Sequence, residues 1–227
     1  MKSLLFIALT LFYQFTFASE SVCYGETKSG KLEAGVKLPN FGKNFVTYSY
    51  AAGMVGRTYV HSKVKSIFLE AYKNLENTMP NKVYKYAETG FKNGGEFKPH
   101  KTHQNGLSID FMVPVVNAKR ESVYFSTTPL NKLGYSVEFS GDGKLDGLTI
   151  DFEALAAHLV ELDKAAKNMG LGLWRVIFDP QLQPNLFKTK YGAYLSNNIK
   201  FSKKRSWVRH DEHYHVDFKV PCKRMYL

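Results

Sequence analysis

Three histidines and two acids fall within the six positions His210 to His215, in the segment HDEHYHVDF near the C-terminus. In an extended strand, residues two apart point to the same side. His213 and His215 therefore share a face, and Tyr214 turns the other way. Two neutral imidazoles form one corner of a zinc site, which needs further ligands. Upstream, GGEFKPHKTHQNGLSIDF holds His100, His103 and Asp110 within eleven positions. Asp110 lies in the alternating run LSIDF, where Leu107, Ile109 and Phe111 face one way and Ser108 and Asp110 the other. A carboxylate inside a short apolar strand is costly unless paired or bound to metal. One His and one Asp of this segment, with one His of HYH, would supply three ligands and leave a fourth position for water, which is the catalytic pattern. Zinc in such a site brings the pKa of bound water towards roughly 7 and polarises a carbonyl oxygen. A further imidazole nearby would take the water proton and steady the developing oxyanion.

These two segments must be brought together by the elements that carry them. HSKVKSIFLEAYKNLENTMP spaces Val64, Ile67, Phe68, Ala71 and Leu75 as one helical face and stops at Pro80. A second helix is predicted from Asp151, as N-cap, with Leu155, Leu159, Leu162 and Ala166 on one face, ending before Gly170. Strand-like runs are KVYKYAETG, LSIDFMVPV, YSVEFSG, LWRVIFD and HYHVDFKV. Helix, strands, helix, strands, without regular alternation, predicts a single α+β domain. Its central, mainly antiparallel sheet would be flanked by helices and irregular loops. Residues 20–60, rich in Gly, Tyr and turns, are expected to be irregular and wrapped on that core. Gly94, Gly95 and Gly106 allow the backbone to fold tightly around His100 and His103.

Lys2 followed by LLFIALTLFYQFTF and the small residues Ala18 and Ser19 has the layout of a secretory signal peptide over residues 1–19. No stable membrane insertion is expected after processing, and the protein is expected to be periplasmic or secreted. The remaining chain, residues 20–227, is long enough for one well-cored domain. Its formal charge falls from +11 to +10 with the loss of Lys2, which favours anionic surroundings. Export makes nucleic acid the least expected of these, leaving acidic lipid or an acidic cell-wall polymer. Cys23 and Cys222 are the two cysteines, and in an exported protein such a pair is expected to be oxidised. That bridge would close nearly the whole chain, with a stabilisation of up to about 5 kcal/mol.

The pair GGEFKPHKTHQNGLSID and HDEHYHV resembles the penicillin-insensitive murein endopeptidases, which are related to lysostaphin-type and D-alanyl-D-alanine-cleaving zinc peptidases. Weaker similarity covers most of the mature chain, including SGKLEAGVKLP, the helix after GRTYVH and LWRVIFDPQLQPNLF. The resemblance implies one zinc ion per chain, bound by His103, Asp110 and His215. It also implies His213 as catalytic base or transition-state stabiliser, His210 as a further catalytic imidazole, and His100 at the edge of the site. The implied activity is hydrolysis of D-alanyl peptide cross-links in peptidoglycan, with cross-linked muropeptides as the partner. The neighbouring readings are a zinc carboxypeptidase or amidase acting on another wall bond, and a non-catalytic wall-binding protein with structural zinc. Two departures from the family stand out: Ser108 replaces a charged residue, and Asp217 replaces a basic one. Asp217 either orients one of the histidines on its strand face or lies past them in solvent.

Other signals are weaker. GDGKLDG at 141–147 fails as a calcium loop in both registers, with Thr149 at the last ligand position in one and Lys144 on a ligand position in the other. It is expected to be a polar turn. His158 is expected at the edge of the core, His61 at the surface or capping a helix. The basic run KFSKKRSW at 200–207 is expected either as a solvated loop or as an attraction for anionic wall strands.

Overall fold

The computed structural model describes residues 20–206 and 208–225; the expected signal peptide lies outside them. The central sheet has five strands, β1 (Phe45–Thr47), β2 (Tyr84–Tyr86), β3 (Ser108–Met112), β4 (Gly172–Ile177) and β5 (His213–Lys219). Their order in space is β4–β5–β3–β2–β1. Every neighbouring pair is antiparallel except β1 and β2. Two long helices, α1 (Ser62–Thr78) and α2 (Phe152–Asn168), pack on each other, and α2 also packs on β4. The α+β architecture is the one expected.

In α1 the buried side chains are Val64, Ile67, Phe68, Ala71, Tyr72 and Leu75, one stripe at helical spacing. His61 caps it, its Nδ1 accepting from the Lys63 N–H at 3.1 Å, and it is buried rather than at the surface. Asp151 caps α2 by accepting from the Ala154 N–H at 3.0 Å. α2 is buried on nearly all sides because the short helices Gln183–Phe187 and Gly192–Asn198 cover the face that α1 and β4 leave open.

The sheet meets these helices through alternate residues of β3 and β5. The Phe111 ring stacks on Phe68 and Tyr214, with centroids 6.3 and 5.4 Å apart. His158 of α2 lies in the middle of this packing, fully buried, and shares a 2.6 Å hydrogen bond with the Tyr214 hydroxyl. It is a core residue rather than a core-edge one. The other set of alternate residues, on the opposite face, is polar apart from Met112.

Two secondary-structure expectations are also corrected. Residues 20–60 are more regular than their composition suggests. They form a hairpin (Val22–Glu26 with Ser29–Glu33), a short strand pair (Val36–Lys37 with Tyr59–Val60), the edge strand β1 and the helix Tyr50–Met54. YSVEFSG forms no strand. Its Phe139 N–H donates to the Asp211 carboxylate at 2.6 Å instead of to a sheet neighbour, and Phe139 is buried against Phe125. GDGKLDG is a turn leading into a small hairpin, Lys144–Leu145 with Leu148–Ile150, and Asp142 pairs with Lys144.

Cys23 and Cys222 form a disulfide across 199 residues, tying the N-terminal hairpin to the segment after β5. Among the described residues, no helix is long and apolar enough to cross a membrane.

Candidate active site

The antiparallel register of β3 and β5 sets the first contacts. His215 stands opposite Asp110, His213 opposite Met112 and Asp217 opposite Ser108. Because side chains alternate, Ser108, Asp110, His213, His215 and Asp217 share the face away from the helices. Asp110 Oδ1 lies 2.8 Å from His215 Nδ1, and Asp110 Oδ2 lies 4.0 Å from His213 Nε2. All of these residues are buried.

The loop before β3 brings His103 and His100 onto this face. It returns tightly enough that a Cβ on Gly94 (φ +66°) would sit 2.3 Å from the Gln104 carbonyl oxygen, and one on Gly106 (φ +75°) 2.9 Å from the His61 nitrogen. Only glycine fits such approaches. His103 itself has φ +70°, a conformation that costs a non-glycine residue energy and persists where the surroundings enforce it. Its ring lies 4.8 Å from that of His215. His100 sits between Glu88, which its Nε2 contacts, and Asp110 Oδ2, 3.7 Å from its Nδ1. One atom each from His100, His103 and Asp110 falls within 4.8 Å of the others.

The hydrogen-bond pattern shows which ring nitrogens could bind a cation. His103 Nδ1 lies 3.0 Å from the Thr89 carbonyl, which can only accept, so Nδ1 carries the proton and Nε2 is a bare lone pair. That lone pair is fully buried without a hydrogen-bond partner among the described residues and faces Asp110 Oδ1 at 3.3 Å. Burial lowers the pKa of His103, which keeps the ring neutral. His215 lies between two carboxylates, with Nδ1 on Asp110 and Nε2 2.8 Å from Asp217 Oδ1. A neutral imidazole has one N–H for these two acceptors. Burial opposes its ionisation, but the Asp217 charge and the hydrogen bonds to both carboxylates push its pKa up to about 10. His103 Nε2 and His215 Nδ1 both approach Asp110 Oδ1, at 3.3 and 2.8 Å, and a cation beside this oxygen would take the place of a proton. Two imidazoles and a carboxylate fit zinc and other first-row divalent ions.

Around this cluster lie groups that can move or hold a proton. His213 Nδ1 is 2.9 Å from Glu212 Oε1, which leaves Nε2 turned to Asp110. Burial opposes its charge, but Glu212 outweighs burial and raises its pKa. His210, at φ +58°, packs its ring against that of His213, tilted by 37° with centroids 4.5 Å apart. Burial, and then the charge of His213, pull its pKa down to about 4, so it is neutral. The Tyr135 hydroxyl donates to Asp110 Oδ2 at 3.1 Å, and its ring packs on His213. Glu88 accepts from the Tyr48 hydroxyl at 2.8 Å and pairs with Arg57. Burial opposes its charge, yet His100 and Arg57 hold its pKa at about 2. A cleft of about 460 Å³ opens over Tyr48, Glu88, Asp110, Tyr135, His213 and His215.

Asp110, His213, His215, His210 and His100 therefore line one cleft, with His103 fully buried beside Asp110 and His215, and Asp217 is buried beside His215 rather than in solvent. Glu88, Tyr135 and the role of Glu212 are absent from the sequence reading. Glu212 could have been found as the acid adjoining His213. Glu88 carried a fainter signal, as the one acid in the run KVYKYAETG. Tyr135 had none, since it reaches the site from a segment whose path only the fold sets.

Over residues 23–226 the chain matches the family described as penicillin-insensitive murein endopeptidase. No match was found among curated proteins.

Proposed function

Because the chain belongs to the penicillin-insensitive murein endopeptidase family, we propose that it is an exported zinc peptidase hydrolysing D-alanyl peptide cross-links in peptidoglycan. One zinc per chain would be held by His103, Asp110 and His215, with a fourth position open. The observation that carries this reading is the buried His103 Nε2, a lone pair facing a carboxylate oxygen at 3.3 Å with no hydrogen-bond partner among the described residues.

When bound, zinc supplies Lewis acidity and brings the pKa of water to about 7. The chain's own residues do the rest. His213 takes a proton at Nε2 while Glu212 fixes the proton on Nδ1, and the same nitrogen then returns the proton to the leaving amine. His210, neutral and packed against His213, adds no competing charge. Tyr135 holds Asp110 Oδ2 and forms one wall of the cleft, where it excludes water from His213. Attack by water rather than by a serine leaves nothing for penicillin to acylate. Export is supported by the leader-like residues 1–19 and by a disulfide, which persists in oxidising compartments. A net charge of +10 after processing favours the anionic wall.

The test is digestion of purified sacculi by zinc-loaded protein, followed by mass spectrometry. Loss of cross-linked dimers with matching gain of monomers is expected, and His103→Ala should lose both zinc and this activity. Intact dimers alongside a His103→Ala protein that keeps stoichiometric zinc would overturn the reading. Loss of a terminal alanine would identify a carboxypeptidase, and release of whole stem peptides an amidase.

A second reading rests on His100, whose Nδ1 lies on the Asp110 side while Glu88 takes its Nε2. As a fourth ligand it would close the site, as in a wall-binding protein with structural zinc. Zinc affinity in His100→Ala separates the two: unchanged for the open site, sharply weakened for the closed one.

A further inference from the structure

We propose that Asp217 is a positioning residue that decides which nitrogen of His215 is presented to the metal. The inference rests on the reading of His215 as a ligand. Asp217 lies in a row that runs across three adjacent strands, opposite Ser108 on one side and Arg175 on the other. Ser108 Oγ donates to Asp217 Oδ1 at 2.6 Å, and Arg175 Nε donates to Oδ2 at 2.6 Å. The carboxylate is fully buried and held at both oxygens, so it cannot swing away from its third contact, His215 Nε2, 2.8 Å from Oδ1.

An ionised carboxylate only accepts. It therefore keeps a proton on His215 Nε2, so that when a cation displaces the proton shared with Asp110 Oδ1, 2.8 Å from Nδ1, the Nδ1 lone pair is the one presented. A carboxylate behind a ligating histidine fixes ring orientation and strengthens the ligand. Here it is supplied from the same strand, two residues after His215. Ser108 contributes a hydroxyl small enough to share Oδ1 with His215.

Asp217→Asn tests this with little change of shape. Arg175 always donates, so the amide oxygen of the new side chain is held by Arg175 and its NH2 faces His215. That NH2 needs an acceptor at Nε2, which moves the His215 proton onto Nδ1, the wrong nitrogen. Zinc affinity is measured by competition with a chromophoric chelator in wild type and Asp217→Asn, with thermal melting of both metal-free proteins. One zinc in the wild type and about 10- to 100-fold weaker binding in the variant is expected. Equal affinities would overturn the role of Asp217 and leave the proposed function standing. A wild type that binds no zinc would overturn both. If the variant fails to fold, nitrogen-15 NMR of the zinc-loaded wild type decides: His215 protonated on Nε2 supports the inference, and protonation on Nδ1 overturns it.

Discussion

Glu212→Gln separates the proton-handling half of the site from the metal-binding half. Glu212 is buried, its Oε1 is 2.9 Å from His213 Nδ1, and its Oε2 accepts from the Asp211 N–H at 3.1 Å. In the variant the amide oxygen stays on the Asp211 N–H, which has to donate. The amide NH2 then faces His213 Nδ1 and turns it into an acceptor, placing the proton on Nε2, where a base cannot use it. The change removes a hydrogen bond to a charged group, worth about 1.5–3 kcal/mol. At 1.36 kcal/mol per tenfold in rate, kcat on a purified cross-linked dimer should fall by roughly 10- to 150-fold. KM and zinc content should hold, because His103, Asp110 and His215 are untouched. A kcat within threefold of wild type would refute the role given to Glu212. Loss of zinc in step with activity would refute it differently, by showing that the residue supports the ligands rather than His213.

Two further outcomes concern stability. Burial holds His158 at a pKa of about 3, against 6.5 for the free side chain. Between those values the unfolded chain binds a proton that the folded one refuses, so stability falls as pH drops from 6.5 towards 3. The fall is up to about 1.4 kcal/mol per pH unit and about 5 kcal/mol in all. Denaturant melts across this range should show a shallower slope in His158→Phe, and parallel slopes would refute the assignment. Replacing Cys23 and Cys222 together by serine opens a closure of 199 residues and should cost up to about 5 kcal/mol, read from the shift in denaturant midpoint. A change below about 1 kcal/mol would mean that the hairpin and the C-terminal segment hold each other through backbone hydrogen bonds alone.

Much of the site was legible because it is written in local periods. The period of two assigned His213 and His215 to one face and Tyr214 to the other, and the fold keeps that division: Tyr214 meets His158 on the helix side. The helices were legible for the same reason, since Val64 to Leu75 repeat at the spacing of one face. In residues 20–60 the strands Val36–Lys37, Phe45–Thr47 and Tyr59–Val60 are too short to express a period, and the glycines and turns between them dominate the composition. YSVEFSG failed in the opposite way: it alternates like a strand, but the Asp211 carboxylate claims the Phe139 N–H that a neighbour would need.

A face assignment states which way a side chain points and is silent on what it meets there. Asp217 shows the difference. Its side of β5 followed from His213 and His215, but whether it met solvent or a ring depended on register with β3 and β4. Shifting either pairing by one residue would replace Ser108 or Arg175 with a side chain from the other face. The correct register aligns three rows: Ser108, Asp217 and Arg175; then Asp110, His215 and Ile177; then Met112 and His213. Each row has a different task in the proposed mechanism, anchoring the ligand from behind, holding the metal, and presenting the base. The spacing of two in HYHVD is what places consecutive tasks on consecutive rows. An insertion of one residue between His213 and Asp217 would therefore send part of the set into the helical core, where no proton or metal chemistry is available to it.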